Sequence, residues 1–489
     1  GWGTRKRLME LLSNFINGDY VNPKSNNYLD VFEPATGQVY CQVPNSNGDD
    51  INLAVNSAID AFPEWSSLSL DERSLYLKTI AEMIESRLDE FAKYESRDTG
   101  KPISLARSVD IPRAVLNFRF FAEYASQFEF ESNINNDSSH NTVIRSPLGP
   151  VGCISPWNLP LYLFTWKIAP ALITGNTVVA KPSELTPFTA FKFGEICNDA
   201  GLPAGVLNII HGQGITAGDA LISHNGIKAI SFTGGTATGK VIATKSAPMF
   251  KKISLEMGGK NPAVVFSDCD YDAMLETVVK SSFSNQGQIC LCSSRIMVEE
   301  NIYNKFQKDF VEKVSALNVG DPIEDSTQIG SITSKPHLDK VMTYIELAQE
   351  EGGTILTGGK PVTIKGRCEG GWFVEPTVID GLVNSCRTNQ EEIFGPIVTI
   401  IPFKDEGEAI DIANDTEYGL SATIWTEDID KATRVARNID AGVIWINCWL
   451  VRDLRTPFGG MKQSGMGREG GTEILNFFTE PKNICEQIS

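Results

Sequence analysis

A thiol, a carboxylate and a carboxamide stand in settings where each could do chemistry. Cys290 ends the segment Asn285-Gln-Gly-Gln-Ile-Cys290, just after a helix-like stretch. A thiolate there is a nucleophile, whereas a lone cysteine in a large chain is by composition more often a small buried apolar side chain. Glu256 closes an apolar run in Leu255-Glu256-Met257-Gly258-Gly259-Lys260, where it either faces a cleft or makes a salt bridge. Asn158 lies between two prolines in Ser155-Pro156-Trp157-Asn158-Leu159-Pro160. Those prolines restrict the backbone, which either aims the amide or makes Asn158 a turn residue.

Other motifs suit a nucleotide. Gly212-Gln-Gly214-Ile-Thr-Ala-Gly218 and Gly234-Gly235-Thr-Ala-Thr-Gly239 each follow an apolar run. Glycine between strand and helix lets backbone amides approach a pyrophosphate. Neither has the G-x-G-x-x-G spacing, so each is equally an ordinary loop. Lys181-Pro-Ser183-Glu184 ends a further run, with Lys181 and Glu184 as partners for ribose hydroxyls. A carboxylate there repels a 2′-phosphate, which points to NAD rather than NADP.

The elements that position these residues follow a pattern. Apolar runs at 151–155, 177–181, 206–210, 229–233 and 252–256 alternate with helical segments at 186–200, 215–224 and 238–246. That alternation predicts a doubly wound parallel sheet, with its ligand site beyond the carboxyl ends of the strands. A second α/β region starts with a strand at 263–266, continues through helices near 271–283 and 301–316, and runs to about 458. Long amphipathic helices such as 70–88 precede both. The polar stretch 133–141 leads into an alternating strand at 142–145, and another strand-like stretch lies at 482–486. Two isolated strands need partners, so a projecting arm that pairs with another subunit is expected.

Composition excludes several classes. The 489 residues carry 43 basic and 61 acidic side chains, a formal net charge of −18. At about 150 residues per domain the length predicts several domains and a large core. The acidic balance, with no basic stripe, argues against nucleic acid and anionic membrane surfaces as partners. Ten cysteines without a C-x-x-C pair, and four histidines, make a metal site improbable. No apolar run reaches the ~20 residues of a membrane span, and no signal core opens the chain. A soluble, cytoplasmic protein of a reducing compartment is expected. Residues 1–8, ahead of Met9, read as an appended tail. Serine hydrolase chemistry fails for want of a G-x-S-x-G motif.

Ser155-Pro-Trp-Asn-Leu-Pro, Lys181-Pro-Ser-Glu, Phe232-Thr-Gly, Leu255-Glu-Met-Gly-Gly-Lys, Asn285-Gln-Gly-Gln-Ile-Cys, Glu391-Glu-Ile-Phe-Gly-Pro396 and Pro457-Phe-Gly-Gly460 occur in one order. This resembles the NAD(P)-dependent aldehyde dehydrogenase superfamily over nearly the whole chain, from about residue 13 to 488. The resemblance implies an NAD-binding domain over 9–128 and 149–258, a catalytic domain over 259–458, and an oligomerisation arm over 129–148 and 459–489. It implies Cys290 as the nucleophile that forms a thiohemiacetal and then a thioester. Asn158 and the Cys290 backbone N–H would hold the oxyanion, and Glu256 would activate water. Ser155, Trp157, Lys181, Ser183, Glu184, Gly214, Gly234, Gly235, Met257, Glu392 and Phe394 would hold NAD, with no metal.

Specificity rests on two cations. Asp110-Ile-Pro-Arg113 places one arginine on a helix, and Trp449-Leu-Val-Arg452-Asp-Leu-Arg455 places others before the Pro-Phe-Gly-Gly turn. Together they resemble the muconic semialdehyde branch of the superfamily, nearest its animal members. By that likeness Arg452 stands on the tunnel wall, and Arg113 and Arg452 would pair with a substrate carboxylate. Arg455 is expected to face Asp453. The implied reaction is oxidation of a semialdehyde carrying a carboxylate, 2-aminomuconic 6-semialdehyde of tryptophan (kynurenine) catabolism, by a homodimer or homotetramer. Retinal or broad-range aldehyde oxidation is the alternative. A catalytically silent, crystallin-like structural protein is the alternative from another class.

Overall fold

Residues 9–488 are described by a computed structural model; the tail at 1–8 lies outside the described residues. Five strands, Pro150–Ile154, Thr177–Lys181, Leu207–Ile209, Ala229–Thr233 and Lys252–Glu256, form the parallel centre of an eight-stranded sheet. All but the first two residues of the last strand are buried, which is why they read as continuous apolar runs. Crossover helices Pro160–Ile173, Phe188–Asp199 and Thr236–Ser246 lie between them. The strand order runs outward from Pro150–Ile154 in both directions, with Ala229–Thr233 beside it. The topological switch therefore falls between those two strands, where a crevice opens at their carboxyl ends.

A seven-stranded sheet forms the second α/β unit. Asn261–Val265 pairs in parallel with Ser293–Glu299 and Ser421–Trp425, and only the edge strand Thr354–Thr357 is antiparallel. Tyr271–Phe283 starts under an Asp270 cap and buries Met274, Leu275, Val278 and Val279 at helical spacing. The helix expected over 70–88 ends at Ser86, and a separate helix, Leu88–Thr99, follows Arg87. That helix stops at Gly100, whose φ of +84° suits the left-handed cap.

The arm differs from the expected pair of isolated strands. Thr479–Gln487 pairs along its whole length with Ser139–Pro147 of the same chain, for example Lys482 against Ile144. The polar stretch supplies a third strand, Glu131–Asn135, through a turn in which Asn136 Oδ1 accepts from the Ser138 and Ser139 amides at 2.9 Å. Both outer strands keep an open edge. Before the arm, the chain returns to the first sheet: Gly465–Met466 pairs with Lys252–Glu256, and helix Gly471–Phe477 follows. Among the described residues no helix is long and apolar enough to cross a membrane.

Candidate active site

The crevice collects most of the motif residues. Residues 155–158 leave the end of Pro150–Ile154, and Gly234 and Gly235 leave the neighbouring strand. Glu256 ends the next strand in register with Thr233, whose hydroxyl donates to Glu256 Oε2 at 3.3 Å. Cys290 arrives from the second unit through a turn that sequence pattern does not reveal. Asn285, Gln286 and Gly287 all have left-handed backbones, with φ of +54°, +58° and +70°. Two non-glycine residues there are costly, and hydrogen bonds must hold them. Asn285 Nδ2 donates to Gln288 O at 3.1 Å, Gln286 Oε1 accepts from Gly330 N at 2.7 Å, and Gln288 Oε1 accepts from Thr333 N at 3.2 Å. At Gly287 any Cβ would lie 2.0 Å from Gly395 O, so no side chain fits.

Asn261, which sequence reasoning missed, clamps the far side of that loop. Its amide donates to Cys290 O at 2.7 Å and to Cys292 O at 2.8 Å, while its oxygen accepts from Ser421 N. The thiol thus sits on a loop tied at both ends.

Besides a space of about 20 Å3 shared with Cys292, two cavities meet at Cys290. The larger, about 230 Å3, is bordered by Trp157, Asn158, Gly235, Met257, Glu392 and Phe394. The other, about 160 Å3, has mostly apolar walls but includes Glu256, Arg113 and Arg452. Asn158 donates one amide hydrogen to Gln288 O at 3.0 Å, which leaves its second. Burial, then the nearby Glu256 and Glu392, push the Cys290 thiol up. Burial and the adjacent Glu469 hold the Glu256 carboxyl well above the usual carboxylate range, and Lys167 opposes them. Lys167 Nζ bridges Glu469 at 2.9 Å, with both side chains buried. Sequence reasoning missed both. Lys167 did carry a signal, as the one charge in the otherwise apolar helix Pro160–Ile173; Glu469 carried none.

Of the residues expected to hold a nucleotide, Trp157, Gly234, Gly235, Met257, Glu392 and Phe394 border the larger cavity. Gly235 caps helix Thr236–Ser246 without a side-chain hydrogen bond, and a Cβ added at Gly235 or Gly214 would meet nothing within 4 Å. Free amides facing open space fit a pyrophosphate. Lys181 Nζ is 3.8 Å from Glu184 Oε2. Ser155 N and Ser183 Oγ are taken up locally, by Lys181 O and Leu185 N. A Cβ at Gly234 would clash with the Phe232 ring, and one at Gly239 with Met257 Sδ. Glu392 Oε2 accepts from Gly259 N at 2.8 Å, and the Trp157 and Phe394 rings meet edge to face at 5.3 Å.

Arg113 and Arg452 share the apolar cavity, and among the described residues neither forms an ion pair. Arg113 donates to Asn117 Oδ1 at 2.8 Å and to the Tyr162 hydroxyl, and lies 4.5 Å over the Tyr162 ring. Arg452 lies 4.4 Å over Phe458. Burial lowers both guanidinium pKa values, and for Arg113 the charge of Arg452 adds to it. Arg455 faces solvent and pairs with Asp453 at 2.6 Å.

A nucleotide crevice meeting a thiol, a carboxyl and an amide at the switch point matches one family: the aldehyde dehydrogenase family model covers residues 20–484, and the chain belongs to that family. It is 50% identical to the 2-aminomuconic semialdehyde dehydrogenase of Danio rerio, across 97% of this chain and 98% of that protein. It is 43% identical to the 2-hydroxymuconic semialdehyde dehydrogenase of Pseudomonas sp. strain CF600, across 98% and 100%. The NAD+ complex of an aldehyde dehydrogenase from Bacillus cereus superposes with a TM-score of 0.95 at 35% identity, across 98% and 97%.

Proposed function

We propose that this NAD-dependent aldehyde oxidoreductase oxidises a dienoic semialdehyde bearing a carboxylate, 2-aminomuconic 6-semialdehyde, to the dicarboxylic acid. The observation that carries the substrate is a pair of guanidiniums, neither in an ion pair with a described residue, in the cavity that ends at Cys290. A carboxylate is the ligand that satisfies two such forks.

Cys290 attacks the aldehyde carbon once its proton has left, and the carbonyl oxygen becomes an oxyanion. The free Asn158 amide hydrogen and the Cys290 backbone N–H donate to it, worth about 3–4 kcal/mol for each donor lost. Bound NAD supplies the hydride acceptor. Trp157, Lys181, Glu184, Gly214 and Gly235 hold its adenosine and phosphates, with Ser155, Ser183, Gly234 and Met257 shaping the crevice, and Glu392 and Phe394 hold the nicotinamide end. Loss of hydride from the tetrahedral carbon would leave a thioester on Cys290, and Glu256 takes a proton from the water that cleaves it, freeing the carboxylate and the thiol.

The pH dependence follows from Glu256. Burial and Glu469 both favour its protonated form, so kcat, where hydrolysis limits it, rises with pH along a limb displaced above the ordinary carboxylate range. Glu469→Gln removes the like charge and leaves the Lys167 cation uncompensated. Both changes lower the Glu256 pKa, so the limb moves to lower pH. A limb that stays in place assigns it to another group.

The substrate is tested by comparing kcat/KM for 2-hydroxymuconic semialdehyde, retinal and an unbranched aliphatic aldehyde, followed at the absorbance of reduced nicotinamide. The carboxylated substrate is expected to lead by about tenfold or more. Parity with retinal, which has no carboxylate, removes the assignment. The open edges of the arm sheet support a homodimer or homotetramer. Ten free cysteines suit a reducing, cytoplasmic setting.

A further inference from the structure

Asn158 is held from a direction that none of the motifs includes. Lys101, fully buried just after the Gly100 cap, forms an ion pair with Asp110 and donates from Nζ to the Asn158 carbonyl oxygen at 3.1 Å. The same oxygen accepts from Asn285 Nδ2 at 3.2 Å, and Asn285 Nδ2 and Asn158 Nδ2 both donate to Gln288 O. These bonds tie the segment bearing Asn158 to the one bearing Cys290. The Lys101 loop is anchored in turn: Ser96 Oγ donates to Lys101 O at 2.7 Å, and Gly100 O accepts from Ser331 N at 3.0 Å. Ser331 O accepts from Gln286 Nε2 in the left-handed turn.

A lysine in this position needs an explanation. An ammonium ion without water contributes little net stability even when paired, since desolvation offsets the attraction. Glu95 is also buried nearby, but its carboxylate accepts from Leu161 N at 2.9 Å and Thr189 Oγ at 3.1 Å, whereas Asp110 contacts the Lys101 ammonium directly. Besides Asp110, the ammonium donates to one peptide carbonyl, that of Asn158.

We infer that the Lys101–Asp110 pair positions the oxyanion hole: Lys101 fixes the Asn158 carbonyl so that its free amide hydrogen stays aimed at the reacting oxygen. Lys101 is a positioning residue that touches neither substrate nor cofactor, and the inference rests on the oxyanion role proposed for Asn158.

The test is the pre-steady-state burst of reduced nicotinamide with 2-hydroxymuconic semialdehyde and saturating NAD. Asn158→Ala should slow the burst by about a hundredfold or more. Lys101→Met should slow it by about tenfold or more, through misplacement of the donor, with NAD affinity unchanged. In the Lys101→Met, Asn158→Ala double variant, the lysine change should add no further loss. Lys101→Met alone leaves Asp110 buried without its partner, so Lys101→Met with Asp110→Leu replaces both charges, a change often tolerated in folding; it should show the same slowed burst. An unchanged burst in the folded lysine variants, or losses that multiply with Asn158→Ala, overturns the inference. An unchanged burst in Asn158→Ala alone overturns instead the oxyanion reading beneath it.

Discussion

Cys290→Ala loses turnover by on the order of 10^4-fold or more while still binding NAD in calorimetry. Among the described residues no other thiol borders the two cavities that hold Asn158 and Glu256. Cys292 is buried, its thiol turns towards Ser284 O at 3.7 Å, and it borders neither of those two cavities, only a space of about 20 Å3 that it shares with Cys290. Cys290 borders both. In the wild type, quenching after a single turnover and weighing the intact protein should show one acyl adduct, which proteolysis maps to Cys290. Retained turnover in Cys290→Ala, or an adduct on Cys292, would mean that the reacting sulfur is the other one.

Arg452→Ala should raise KM for 2-hydroxymuconic semialdehyde by about ten- to a hundredfold, the worth of a charge-assisted pair. KM for a neutral aldehyde of similar size should change far less. Arg452 suits this test better than Arg113, whose guanidinium also bonds Asn117 and Tyr162; cutting those bonds would mix packing loss with charge loss. Arg452 makes no hydrogen bond to a described residue and rests on Phe458 and Trp166. Arg452→Lys should recover only part of the loss, because an ammonium lacks the planar fork. Equal losses on charged and neutral aldehydes would remove the carboxylate clamp.

Much of this was legible from residue order. The parallel strands are mostly apolar and buried because helices cover both faces, so each stands out as a run. Glu256 ends one strand and Asn158 lies in the loop leaving another, where a doubly wound sheet opens its crevice. What escaped depends on neighbours distant in sequence. Strands 142–145 and 482–486 look solitary until the fold joins segments more than three hundred residues apart. The left-handed turn before Cys290 has glycine at only one of its three positions, and its other two conformations are held by bonds to Asn158, Gly330 and Ser331. Asn261 works through two carbonyls in a loop far along the chain. Lys167 alone among the missed groups broke a local rule, a charge within an apolar helix.

The crowding of Glu256, which shares a cavity with Cys290, by the buried Glu469 bears on how one catalytic cycle gives way to the next. Hydrolysis leaves Glu256 holding the proton it took from water and creates a fresh anion beside it. Next to that new charge, Glu256 releases its proton less readily still, so the enzyme regains its base only as the dicarboxylate departs. Clearing the pocket and resetting the base would therefore be one linked event, slowed by whatever hold the proposed arginine clamp keeps on the far carboxylate.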